Sequence, residues 1–132
     1  MADSLCPCGS KKLKNACCEL ISSGKREATT AEELMRSRYT AFTKADGAYL
    51  MKSHHPETRP VKDRKAIENW AKSVQWMGLV ILGKQAGEAS DSSGHVEFRA
   101  LYLERGEMHQ IHENSLFRKQ GEKWYYHSGV HL

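Results

Sequence analysis

Four cysteines carry the most specific chemistry in the chain: Cys6, Cys8, Cys17 and Cys18, with none after residue 18. Thiolates are soft ligands, and four of them suit a tetrahedral ion such as zinc, whose structural sites use all four positions. In an extended segment Cys6 and Cys8 point to the same side, so both sulfurs can meet one ion. Pro7 fixes one dihedral between them, Gly9 permits a tight turn, and the eight residues separating Cys8 from Cys17 let the chain return with the second pair. The same spacing counts against disulfides, because Cys17 and Cys18 are adjacent and Cys6 and Cys8 only two apart. A redox pair would more usually read Cys-x-x-Cys beside a βαβ unit. Four thiolates remain compatible with an iron–sulfur cluster. So short a segment buries little apolar surface, and a bound ion would supply most of its folding free energy.

Arg38 is the second informative residue. It falls between Leu34, Met35 and Phe42 on a helix stripe that otherwise points inward. A buried guanidinium needs a partner, and Glu113 is the candidate, since it alternates onto one strand face with Ile111, Ser115 and Phe117. Arg38, Tyr39, Trp70, Glu113 and Ser115 are therefore the candidate lining of a pocket; the competing reading is a structural ion pair with Arg38 partly reaching solvent. His54 and His55 stand at the end of a short helix, where an imidazolium is favoured. His109 and His112 lie three apart on a strand, hence on opposite faces, which argues against a joint metal site. The tryptophans and the Tyr125–Tyr126 pair read as core and sheet packing. The chain has no P-loop, HExxH, GxGxxG or Ser-His-Asp order.

These residues need elements to position them. Thr30 with Glu33 forms a capping signature that opens a helix running to about Lys44. Asp46 caps a second helix through Tyr49, Leu50 and His54, ended by Pro56. A third helix spans Asp63 to Lys72, with Ala66, Ile67, Trp70 and Ala71 on one face. The period then changes to that of strands, over Val74 to Lys84, His95 to Leu103, Met108 to Arg118 and Lys123 to His127, with turns at 90–94, 105–106 and 120–121. Three helices followed by antiparallel strands is an α+β pattern, with helices on one face of a curved sheet.

The totals agree with one soluble domain and a short appendage. The chain has 132 residues, 39% hydrophobic and 27% charged. Ser22 to Arg26 is a polar, glycine-containing link, dividing a metal module (residues 1–26) from an α+β domain (residues 27–132). The longest apolar run, Met77 to Leu82, is broken by Gly78 and far too short to cross a bilayer, so no membrane insertion is expected. Residues 1–5 have neither a basic nor an apolar signal region, which makes a cytoplasmic address the expectation. The formal charge is +4, and four thiolates around a divalent ion would bring it near +2. Lys11, Lys12, Lys14, Lys25 and Arg26 leave room for a weak RNA contact.

Cys6-Pro7-Cys8-Gly9-Ser10-Lys11-Lys12-Leu13-Lys14 followed by Cys17-Cys18 resembles the SEC-C motif, the zinc tail of SecA and other bacterial proteins. The usual pattern has glycine at the position of Lys11 and an aromatic at that of Leu13. From Thr30 onward the chain resembles the YchJ-like family, through residues 31–39, Tyr49-Leu50, His55-Pro56, Val96-Glu97-Phe98, His112-Glu113-x-Ser115-x-Phe117 and Trp124-Tyr125-Tyr126. That resemblance implies a nuclear-transport-factor-2-like cone of three helices against a curved sheet. The SEC-C resemblance implies Zn2+ and a protein partner such as SecB or the ribosome. Two functions compete: an adaptor that docks through the cysteine knuckle, whose closed site leaves zinc no open position for catalysis, and a small-molecule binder or enzyme using the pocket around Arg38 and Glu113.

Overall fold

The computed structural model describes residues 5–132; residues 1–4, on which most of the expectation about a signal region rests, lie outside the described residues. A 3-10 turn at Lys14–Ala16 leads into α1 (Cys18–Ser22), α2 (Ala31–Thr43) and α3 (Gly47–Lys52). A second 3-10 turn at Val61–Asp63 precedes α4 (Arg64–Ser73). Four strands follow, β1 (Gln75–Ala86), β2 (Ser93–Glu104), β3 (Glu107–Gln120) and β4 (Lys123–His131), as one antiparallel meander in chain order. Among the described residues no helix is long and apolar enough to cross a membrane.

The caps form where their residue types require. Thr30 accepts the amide of Glu33 at 3.1 Å, and the Glu33 carboxylate returns to the amide of Thr29 at 2.8 Å, one residue earlier than a strict capping box. Asp46 accepts the amide of Tyr49 at 3.1 Å and opens α3. α3 stops at Lys52, two residues short of the expected His54, because residues 53–55 turn to pair with β4. The amide of His55 donates to the Tyr126 carbonyl at 2.7 Å, and that of Tyr126 to the Ser53 carbonyl at 2.9 Å. On α4, Ala71 is buried and Ile67 and Trp70 half-buried, whereas Ala66 faces solvent, contrary to its expected place on the inner stripe.

The β2–β3 connection is a two-residue hairpin in which Arg105 (φ 54°) and Gly106 (φ 81°) both adopt left-handed backbone, the geometry that matches strand twist. Val96, Phe98 and Ala100 of β2 and Ser115 and Phe117 of β3 are buried beneath α2. β4 runs four residues past its expected end at His127. Its pairing with β3 passes from Phe117 opposite Tyr126 to Leu116 opposite Ser128, which leaves His127 as an extra, bulged residue.

The cysteine segment is docked on this core rather than standing apart from it. Cys6, Cys8, Cys17, Cys18 and Ile21 belong to the same buried cluster as Ala31, Leu34 and Tyr39. Its folding therefore draws on apolar burial as well as on any ion.

Candidate functional site

The amide of Cys6 donates to the Lys12 carbonyl at 2.8 Å, and that of Gly9 to the Cys6 carbonyl at 3.3 Å, so the first cysteine pair sits in a tight loop. Lys11 within it has φ +68°, a conformation that glycine adopts freely and a side chain only at a cost. The 3-10 turn and the start of α1 return Cys17 and Cys18 to the same point. Sulfur separations are 3.7 Å for Cys8–Cys17 and 3.9 Å for Cys17–Cys18, and all four sulfurs lie within 4.8 Å of one another. Four sulfurs about 2.3 Å from a tetrahedral ion would stand about 3.8 Å apart. The donor set and its spacing fit a thiolate-bound metal ion.

Protonation points the same way. A hydrogen bond from Cys18 holds the Cys8 thiol down at about 4, and that bond followed by burial pushes Cys18 up; burial also raises Cys17. Burial opposes the thiolate form of Cys17 and Cys18, and a divalent cation would offset that by stabilising their thiolates. The Ser10 hydroxyl lies 3.1 Å from the Cys17 sulfur and the Thr40 hydroxyl 3.6 Å from that of Cys6. Arg36 ties the loop to α2: its Nη1 donates to the Cys8 carbonyl while its Nε pairs with Glu32 at 2.9 Å.

All five residues expected to line a pocket do line one cavity, of about 150 Å³, between α2, α4 and the sheet. Arg38 and Tyr39 come from α2, Trp70 from α4, and Glu113 and Ser115 from β3. Arg38 and Glu113, however, do not form the expected ion pair. Arg38 Nη1 donates to the Leu50 carbonyl at 2.9 Å and the Ser53 hydroxyl at 2.7 Å, and its guanidinium lies 4.6 Å above the centre of the Tyr126 ring. Burial lowers Arg38 to about 10, which still leaves it charged at neutral pH. Its Nε and Nη2 have no hydrogen-bond partner among the described residues. Every polar side-chain atom sealed from solvent there does have one, so these two donors keep some exposure, and Arg38 lines the cavity.

Glu113 is held by other groups. Its Oε1 accepts from the Ser115 hydroxyl at 2.7 Å and from the Tyr126 hydroxyl at 3.3 Å, and His131 lies 3.6 Å from Oε2. Burial, then the Glu113 charge, pushes Tyr126 up to about 12, so the phenol keeps its proton and donates. A Cβ on Gly129 would stand 2.1 Å from Glu113 Oε1: the glycine leaves the space that the carboxylate fills. The other end of the cavity is aromatic, with Trp76 packed against Tyr39, Phe42 and Trp70 at centroid distances of 5.8, 5.7 and 5.4 Å.

Sequence reasoning missed Tyr126, Trp76 and Phe42 as lining residues, having assigned the aromatics to packing. The alternation that put Tyr126 and Tyr125 on different faces of β4 was the available signal. His54 is also not the imidazolium expected at a helix end. Burial, then the Arg38 charge, lowers it to about 4, and its ring packs edge-on against Tyr126 at 5.0 Å. His112 pairs with Glu97 at 2.7 Å while His109 stacks on Tyr102, as expected of residues that do not share a site.

Comparison with known proteins agrees with both halves of the molecule. Residues 30–129 match the family model described as YchJ, middle NTF2-like domain. A UPF0225 protein of Geobacter sulfurreducens is 46% identical over 126 residues, covering 96% of this chain and 78% of the relative. The solution structure of a SEC-C motif containing protein from Rhodopseudomonas palustris superposes with a TM-score of 0.87 at 34% identity, covering 96% of this chain and 98% of that one. A crystal structure of a SEC-C motif containing protein from Psychrobacter arcticus gives 0.80 at 32% identity, covering 93% and 80%.

Proposed function

The chain belongs to the YchJ-like family, with a SEC-C motif and an NTF2-like domain, and from that premise we propose that it is a small-molecule-binding protein whose cysteine centre holds a structural zinc ion. The observation that carries this reading is the cavity. Five residues from three separate elements converge on it, and it joins an aromatic wall to a polar end that holds a buried cation with unused donors. A cavity of about 150 Å³ admits a benzene-sized body. The free Arg38 donors favour an acceptor group on that body, a carboxylate above all. The matching class is a small aromatic or branched acid.

Four thiolates close the coordination sphere of zinc, which assigns the ion to holding Cys6–Cys18 against α2. Arg36 bridges the two parts. Thermal shift with a panel of small aromatic acids, benzoate first, tests the reading: we expect saturable stabilisation of the wild type and none of Arg38→Met. Equal response of the two proteins would reject it.

A second reading has its own support. Leu5 and Leu13 are 61% and 38% exposed on the cysteine segment, among the exposed Lys11, Lys12 and Lys14. That outer face suits docking on an acidic protein surface, with SecB or the ribosome as the partners implied by SEC-C resemblance and RNA as the weaker alternative. Charge reversal of the three lysines should abolish a salt-sensitive interaction with such a partner; unchanged binding would remove this role.

A further inference from the structure

The geometry points to a second metal site, formed by His55, Glu57 and His127, away from both the cysteines and the cavity. One ligand atom from each of the three lies within 4.8 Å of the others. None of the three lines the cavity beside Arg38.

Two features of the fold build this cluster. The turn of residues 53–55 onto β4 fixes His55, which is 6% exposed and whose ring lies 5.3 Å from that of His127. The bulge at His127 then frees that residue from the β3 ladder. Its carbonyl accepts from the Thr58 hydroxyl at 2.6 Å, and its ring meets the turn that carries Glu57. Bulges re-aim side chains in this way, and they are over-represented beside sites.

The atoms are arranged as ligands. His127 Nδ1 lies 3.0 Å from the Ser128 hydroxyl, which can accept the ring proton, and in that tautomer the Nε2 lone pair faces Glu57 Oε1, also at 3.0 Å. Two lone pairs at that distance need a proton or a cation between them. Ligands about 2.1 Å from a tetrahedral ion stand about 3.4 Å apart, so this pair is already near ligating separation. His55 Nδ1 accepts the Glu57 amide at 3.1 Å, which directs its lone pair at the same turn. A metal would take that lone pair in place of the amide, and residues 56–58 are exposed, so the freed N–H can turn to water. Arg118, 3.6 Å from Glu57, is the one other cation paired with this carboxylate among the described residues. It is half exposed and can swing aside. Two imidazoles and a carboxylate suit zinc, nickel or ferrous ions, with open positions left for water or a ligand.

Zinc is the probe. Protein already holding one equivalent at the cysteines, checked by elemental analysis, is titrated calorimetrically with zinc at pH 7.5. We expect one further equivalent, weakened at least about tenfold in both Glu57→Gln and His127→Asn. Glu57 is exposed, so Glu57→Gln keeps the fold and separates loss of a ligand from loss of structure. No second equivalent in the wild type, or a loss smaller than tenfold in either variant, would overturn the site.

Discussion

Arg38 is buried against an aromatic face rather than against a carboxylate: its guanidinium lies 4.6 Å from the centre of the Tyr126 ring, and the Tyr126 hydroxyl in turn reaches Glu113 at 3.3 Å. The cation and the anion of the cavity are thus joined through one phenol. Tyr126→Phe removes only the hydroxyl and should cost about 1 kcal/mol. Tyr126→Leu also removes the ring beneath a desolvated cation and should cost about 2–4 kcal/mol. Urea unfolding of the two variants separates the contributions, and equal losses would mean that the stacking contributes nothing.

Glu113 depends on the absence of a side chain at Gly129. A methyl group there would meet the carboxylate oxygen and Cδ at 2.1 and 2.4 Å, so Gly129→Ala must displace Glu113 from Ser115 and Tyr126. The expected cost is about 1–3 kcal/mol. Gly129→Ala in a Glu113→Ala background should recover most of it, and a double-mutant cycle measures the coupling.

Lys11 holds a backbone conformation suited to glycine, at φ +68°. The SEC-C pattern has glycine at this position, and the loop geometry gives the physical reason. Lys11→Gly should leave metal content unchanged and raise stability by about 1 kcal/mol, the relief of left-handed strain less the extra entropy of the unfolded glycine. Thermal unfolding with zinc present is the check.

His54 makes stability depend on pH. In the folded protein it takes up a proton only near pH 4, against about 6.5 for a free imidazole, because burial and then Arg38 oppose the charge. Between those values the unfolded chain binds more protons, so stability is complete above about pH 6.5 and falls as the pH drops toward 4. Against the effect of burial, Lys84 and Arg36 hold Glu32 low, and Thr29 and Arg26 hold Glu33 low; both act at more acid pH. His54→Gln should flatten the loss above pH 4.5 and leave the acid limb intact. Denaturant midpoints across pH 4–8 give the comparison.

Much of the molecule was legible in the sequence because it rests on local rules. Thr30 and Asp46 cap helices through their own side chains, and the alternation of Ile111, Glu113, Ser115 and Phe117 fixed one face of β3. The gathering of Cys6, Cys8, Cys17 and Cys18 at one point followed from residue type and spacing alone. What was not legible depends on pairings distant in sequence. Arg38 has the partners of its own helix hairpin, Leu50 and Ser53, and a ring from β4, where the sequence pointed to the nearest opposite charge. The early stop of α3 comes from the joining of residues 53–55 to Tyr126, and the extension of β4 from the pairing of residues 128–131 with residues 113–116 of β3. No local pattern announces the bulge at His127, because it is a mismatch between two strands.

Trp70 and Trp76 line the cavity and Trp124 does not, its indole donating instead to the Thr29 carbonyl. Their side-chain N–H signals in a heteronuclear NMR titration with benzoate therefore report most directly on binding. Saturable shifts of Trp70 and Trp76, with Trp124 unmoved and the shifts abolished in Arg38→Met, are the expected result. Stationary indoles at every benzoate concentration, or shifts that persist in Arg38→Met, would contradict the assignment of this cavity as a site for small acids.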